Sequence, residues 1–524
     1  MQEYNYLTMY KLINYSFLFI IGVACYLPEI FIFTDTLLLP KWYLAISGLL
    51  VWLLYLNYVR LFTNKSVKEL VSLFYIKHLF LLLAVGECLY VVVHSAIYGF
   101  SAAGERGTFD NPAGLGVCIA ISFAIAIDMT EKSKGRKALV CYLLCILLFI
   151  SVIFLSKSRT GLICIILMLL YSALKLIRRS KWGKIVLSLC LIGVSVFVVV
   201  KYKKDSTSGR YFILSNSYDL ICEHPFVGHG QNGFEREYML KQADYFRHNE
   251  GSKYEMLADE IQHPLNEFVY VWINYGIVGP LVMLLVFVVP AIIGYRRNDK
   301  RLISMQKPML IIFIFCLFSY PLNYPLPCGI ILLDIFFAIR HCCWSEKVCE
   351  LFRIKSVLVT SCAFLLLCLV GAFAKGYNEY RWNNAWRHLR KNITTALDEY
   401  RVLEPYFSAN RYFLYNYAFA LYSKGEFAES ITILNKCSNY WNGYNHELLS
   451  GDACRMNGRY VEAIKHYDEA HFMCPSRLAP LEGLYYVYGD MDDDVNRKRI
   501  ADIISKQKLK VPSYDGYRIK RNCK

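Results

Sequence analysis

The feature that most constrains this chain is a series of apolar runs, each near the twenty residues a helix needs to cross about 30 Å of hydrocarbon, separated by short charged segments. Inside a membrane the backbone polar groups find no water, so such runs fold as helices. Eleven spans fit, at 14–33, 42–62, 76–98, 113–127, 138–155, 161–176, 185–201, 268–295, 309–320, 326–338 and 357–374. Composition agrees: 56% of the residues are hydrophobic and only 19% charged, too apolar for a chain that must cover its surface with polar groups. The first run lacks a small-residue cleavage site and reads as a retained span rather than a removed signal peptide.

The formal charge of +16 suggests nucleic acid at first sight. The basic residues, however, sit between the apolar runs instead of forming one basic face, so no nucleic-acid partner is expected. They occupy alternate loops, for example Lys132, Lys134, Arg136 and Lys137, then Arg296, Arg297, Lys300 and Arg301. By the positive-inside rule these loops and the N-terminus are cytoplasmic. The 202–265 loop and everything after the last span then lie outside. The nineteen cysteines show no regular spacing and mostly lie inside apolar runs, so neither a disulfide framework nor a metal site is expected.

Beyond residue 375 the chain becomes mixed and polar, which divides it into a membrane domain, 1–375, and an external domain, 376–524. In the second part Ala420, Gly425, Phe427, Glu429 and Ile431 recur 33 positions later as Ala453, Gly458, Tyr460, Glu462 and Ile464. That period is close to the 34 residues of tetratricopeptide repeats. Two such units are few for a stable stack, so degenerate helices at 386–403 and 478–490 are expected to complete it. The fold class expected is all-α: a polytopic helix bundle with a C-terminal helical repeat domain that could hold a protein partner.

Four outer elements carry chemistry. The loop 104–112 reads Gly-Glu-Arg-Gly-Thr-Phe-Asp-Asn-Pro, and the hairpin 156–161 reads Ser-Lys-Ser-Arg-Thr-Gly. The long loop contains Gly209-Arg210-Tyr211 and then Pro225-Phe226-Val227-Gly228-His229-Gly230. It closes with His263-Pro264-Leu265-Asn266 before Gly276-Ile277-Val278-Gly279.

Together these elements resemble the superfamily of O-antigen ligases and polymerases, which includes bacterial protein O-oligosaccharyltransferases. The resemblance runs from about Gly104 to Gly279. It implies a bundle of the GT-C type in a bacterial inner membrane, with the C-terminal domain in the periplasm. It implies transfer of a glycan from an undecaprenyl-diphosphate carrier to a hydroxyl on lipid A core or on a protein Ser or Thr, with no metal and no cofactor. In that frame Arg159 and Arg210 bind the diphosphate, since guanidinium groups stay charged and grip phosphate oxygens bidentately. His263 acts on the acceptor proton, and Phe109, Asn111 and Asn266 shape the pocket.

The chain departs from the family pattern at two positions. Many members carry His directly before the Asn, where this chain has Leu265, and Asn274 replaces a common Glu. His224, His229 and His248 are therefore alternatives to His263. Plainer readings exist too: Arg159 as an anchor that snorkels to headgroups, Asn111-Pro112 as a turn. A repeat-unit polymerase of the Wzy type and a non-catalytic membrane scaffold are the competing functions. Coupled transport is disfavoured because the spans are nearly bare of acids, Glu87 and Asp334 apart.

Overall fold

A computed structural model describes residues 2–63, 72–101, 104–176, 204–341, 351 and 354–523. Among them all regular structure is helical, and the chain divides into two compact units, Met1–Tyr202 with Val282–Tyr380, and Lys203–Leu281 with Arg381–Lys524.

The first unit contains α1 (Gln2–Ala24), α2 (Leu38–Thr63), α3 (Leu73–Tyr98), α4 (Pro112–Lys132), α5 (Arg136–Ser156) and α6 (Arg159–Leu176). After the excursion into the second unit, the chain continues through α10 (Val278–Arg297), α11 (Lys300–Phe318), α12 (Pro325–Ile339) and α13 (Lys355–His388). Among the described residues seven helices are long and apolar enough to cross a membrane, and three shorter apolar helices accompany them. The protein is thus a multi-pass membrane protein. The apolar run at 185–201 lies outside the described residues.

Helix α4 is the hub. Every residue from Gly114 to Met129 is buried, against α3, α5, α6, α11 and α12. Its sequence is rich in Gly, Ala, Ser and Cys, which lets neighbouring backbones approach closely without water or lipid between them. Gly116 marks one such approach, because a Cβ there would run into the Ser158 hydroxyl. By contrast α5 leaves Leu143, Leu144 and Leu147 exposed, a face suited to lipid. At the far end of α4, Asp128 is a buried staple. It receives Lys77 of α3 at 2.6 Å, Lys132 at 2.8 Å and the Ser304 hydroxyl of α11 at 2.7 Å.

Turns interrupt two expected spans. Helix α1 ends at Ala24, and residues 25–37 form a loop around Pro28, which cannot continue a helix. The run at 268–295 is two helices, α9 (Glu267–Tyr275) and α10, because Gly276 adopts φ +63° with the Phe226 carbonyl packed where a side chain would be.

The second unit joins the long loop to the C-terminal helices. Its elements are α7 (Lys204–Glu223), α8 (Gly233–His248), α9, α14 (Ile393–Phe407), α15 (Arg411–Lys424), α16 (Phe427–Cys437), α17 (Tyr444–Met456), α18 (Tyr460–Met473), α19 (Ala479–Asp490), α20 (Asp494–Lys506) and α21 (Tyr514–Asn522). Phe234, Tyr238 and Met239 of α8 share a core with Tyr444, Ala470 and Met473. The buried Gln242 amide donates to the Met473 carbonyl at 2.7 Å, and Arg247 pairs with Glu469 at 2.7 Å. Residues 204–265 therefore pack as part of this unit, and the two units divide between Tyr380 and Arg381.

The C-terminal helices form successive hairpins, α15/α16, α17/α18 and α19/α20. Each turns through one left-handed residue, Gly425, Gly458 and Asp492. Asp492 continues the spacing of the two glycines, 34 positions after Gly458, in a third hairpin whose second helix, α20, had not been anticipated. The 386–403 stretch is broken, since residues 389–392 turn and the Asn392 side chain caps α14.

Candidate functional site

In the first unit the loop 104–112 is pinned from several directions. The Glu87 carboxylate of α3 accepts the Thr108 N–H at 2.8 Å and its hydroxyl at 3.2 Å. The buried Lys41 of α2 donates to the Leu27 carbonyl and the Thr108 hydroxyl, and its ammonium stands 4.8 Å from the centre of the Phe109 ring. Glu87, an acid within a span, thus holds a loop backbone. Phe109 is fully buried and edge-on to Tyr26 and Tyr324.

The same loop meets the 156–161 hairpin. The Glu105 N–H donates to the Leu155 carbonyl at 3.1 Å, and Gly104 lies against Ser156. Lys157 turns the hairpin in the left-handed region, φ 52°. The Ser158 hydroxyl accepts the Gly161 N–H at 3.3 Å, the arrangement of a helix cap, and Arg159 is the first residue of α6. Arg159 is half-buried. It projects at a helix N-terminus, where the partial positive charge of the helix adds to its own.

Asn111 is the N-cap of α4. Its Oδ1 accepts the N–H groups of Ala113 at 2.7 Å and Gly114 at 3.0 Å. That fixes its Nδ2 toward Asp110, Tyr320 and Tyr324. Three acceptors compete for two hydrogens. The Tyr324 hydroxyl in turn donates to Asp110 at 2.7 Å. Asn111 and Phe109 thus bind the loop to the turn 320–324. Lys41, Asp110, Tyr320 and Tyr324 were not legible as site residues, since the bonds that join them to the site, Lys41 to Thr108, Asn111 to Tyr320 and Tyr324 to Asp110, span dozens to hundreds of positions.

In the second unit Arg210 lies on α7, a helix rather than an open loop. The neighbouring Phe212 is buried against Phe246 and Tyr254. His263 accepts the Leu265 N–H at its Nδ1 (3.0 Å), and its Nε2 stands 3.5 Å from Glu267. The ring lies flat on Tyr270, centroids 4.9 Å apart. Accepting at Nδ1 assigns the ring proton of the neutral imidazole to Nε2. Leu265 sits in the left-handed region at φ +58°, uncommon for a non-glycine residue. Asn266 caps α9 by accepting the Val269 N–H at 3.1 Å.

The alternative histidines are placed as follows. The His229 Nε2 is bound to the Leu220 carbonyl at 2.9 Å, and the ring packs edge-on against His224. His248 is exposed at the end of α8. The 225–230 segment lies over the end of α9, with His229 and Gly230 donating to the Ile273 and Asn274 carbonyls. The Asn274 side chain accepts the Phe234 N–H at 3.0 Å, tying the segment to α8. Arg210, His263 and Asn266 belong to the second unit, and Arg159, Phe109 and Asn111 to the first.

Residues 143–285 match the O-antigen ligase family, Wzy_C. No curated protein and no solved structure matches the chain. The matched region runs from α5 into α10 and supports, in general terms, a ligase-like glycosyltransferase.

Proposed function

We propose that this protein transfers a glycan from an undecaprenyl-diphosphate carrier to an acceptor hydroxyl, on lipid A core or on a protein Ser or Thr, at the outer side of the bacterial inner membrane. The observation that carries this reading is the O-antigen ligase match over residues 143–285, a stretch that contains Arg159, Arg210 and His263 together.

In this reaction the bond between the anomeric carbon and the phosphate oxygen breaks, and a bond from the acceptor oxygen forms. The diphosphate leaves with a growing negative charge, and the acceptor hydroxyl gives up a proton. Arg159 and Arg210 stabilise the leaving diphosphate, a role that preorganised cations fill without reorganisation in a site sheltered from water. The geometry around His263 supports a specific division of labour. With Nδ1 engaged by Leu265, the neutral ring donates from Nε2, so it orients the acceptor oxygen. The Glu267 carboxylate, 3.5 Å from that Nε2, is the nearby group suited to take up the proton. Phe109 and Asn111 fix the loop 104–112.

The C-terminal hairpins support a protein acceptor or an assembly partner, since stacks of paired helices of the tetratricopeptide type present concave binding surfaces. The test compares surface glycans and glycoproteins in a strain lacking the gene. Carrier-linked polymer that accumulates without ligation indicates a ligase, and single capped repeat units indicate a polymerase. Loss of glycan from proteins alone indicates an oligosaccharyltransferase. Unchanged glycans in all three pools would remove the reading.

A further inference from the structure

A cavity of about 220 Å³ opens in the first unit between the loop 104–112, the 25–37 loop and the last turns of α3. Its polar lining comes from Glu29, Tyr90, His94, Glu105, Arg106 and Thr108. The carboxylates are held in place. Glu29 accepts the Thr36 hydroxyl at 2.6 Å, and Glu105 accepts the Ser101 N–H at 2.7 Å while its own N–H is fixed to Leu155. Tyr90, His94 and Tyr98 form an aromatic ladder at helical spacing, with the His94 ring 5.8 Å from Tyr90 and 4.8 Å from Tyr98.

We infer that this cavity is a subsite for one neutral sugar ring of a glycan substrate, and this rests on the glycosyl-transfer reading above. Three features select that chemistry. The space is below the roughly 300 Å³ at which drug-sized pockets begin, so it holds one ring and not a chain of them. Two carboxylates against one guanidinium repel a diphosphate, whereas they give ring hydroxyls acceptors and donors at fixed positions. The Tyr90 ring supplies a flat amphipathic face for the C–H side of a pyranose. The cavity wall is also joined to the chemistry: Glu105 is bonded to Leu155, four residues before Arg159. A ring held here lies on the carrier-linked donor or on the acceptor glycan, and the two sources are separable.

The test uses the purified full-length protein and oligosaccharide released by mild acid from the carrier-linked pool of a deletion strain. Saturation-transfer NMR should show the sugar bound by the wild type. Binding should be at least tenfold weaker in Tyr90→Ala and Arg106→Ala, and within about threefold of wild type in Tyr90→Phe, which keeps the ring face. In transfer assays a tenfold higher KM for the carrier-linked donor assigns the ring to the donor, and the same rise for the acceptor assigns it to the acceptor. Equal binding by wild type and Ala variants, or no binding by the wild type, overturns the subsite. Binding through the cavity with no transfer by the wild type leaves the subsite standing and removes the enzyme reading. Transfer with both KM values unmoved in the variants does the reverse.

Discussion

The Nδ1 of His263 accepts the backbone N–H of Leu265 at 3.0 Å, across Pro264. This bond from residue i to residue i+2 is the one an Asn or Asp makes in an Asx-turn. It links the candidate catalytic ring to the left-handed Leu265 and, through Asn266, to the start of α9. The ring therefore has a structural duty that another side chain can perform, which makes its chemical duty testable.

His263→Asn should rebuild the turn and keep the thermal unfolding midpoint in detergent near that of wild type. His263→Ala should lose about 0.5–1.5 kcal/mol, the usual net worth of one hydrogen bond. Both should lose glycan transfer. An Asn variant as active as wild type would reduce His263 to a turn residue.

The Asp128 staple should dominate the stability of the first unit. Removing one partner of a buried ion pair strands the other, at a cost of about 3–5 kcal/mol. Asp128→Asn should accordingly lower the unfolding midpoint sharply and shift the protein toward aggregation on extraction. A Lys77→Met/Asp128→Leu double variant should recover much of the loss, because the uncompensated charge is gone. Equal midpoints for wild type and Asp128→Asn would show that the cluster carries little.

Gly116→Ala places a Cβ inside contact distance of the Ser158 hydroxyl. Overpacking of this kind costs about 1–3 kcal/mol. Ser158 caps the helix that begins with Arg159, so transfer activity should fall along with the midpoint. Adding Ser158→Gly should restore stability in part, and a Gly116→Ala protein with wild-type activity would separate this packing from the site.

The second unit should show a pH optimum traceable to one pair. His466 Nδ1 binds Glu447 at 2.7 Å. Burial lowers the His466 value, but hydrogen bonds to Cys454 and Glu447 outweigh it and raise it from 6.5 to about 10. Burial raises the Glu447 value, but the bonds from His446 and His466 outweigh it and lower it from 4.5 to about 2. The His466 contribution is then complete below pH 6.5 and lost as pH rises through about 10. The Glu447 contribution is complete above pH 4.5 and lost as pH falls through about 2. Unfolding midpoints between pH 5 and 11 should decline on the alkaline side in wild type and flatten in His466→Gln.

Much of the bundle was legible because lipid imposes a length. The helices from Leu38, Leu73, Pro112 and Arg136 begin within a few residues of the expected spans. The run at 268–295 misled because hydropathy is blind to φ, and the break at Gly276 depends on the Phe226 backbone fifty positions earlier. The third hairpin escaped notice because Asp492 stands where the first two have Gly. Arg159, Arg210 and His263 were found as residue types in a family pattern. Their surroundings were not: the Glu87 and Lys41 anchors of the loop and the Tyr324 bond to Asp110 are made by side chains whose partners no local pattern announces.

The most direct test of the account is transfer in vitro from purified carrier-linked glycan by wild type, Arg159→Ala and Arg210→Ala, with membrane insertion checked for each. The account predicts that each Arg variant inserts normally and loses at least about 100-fold in kcat, the scale at which removing a transition-state donor is felt. Wild-type rates in both variants would contradict it.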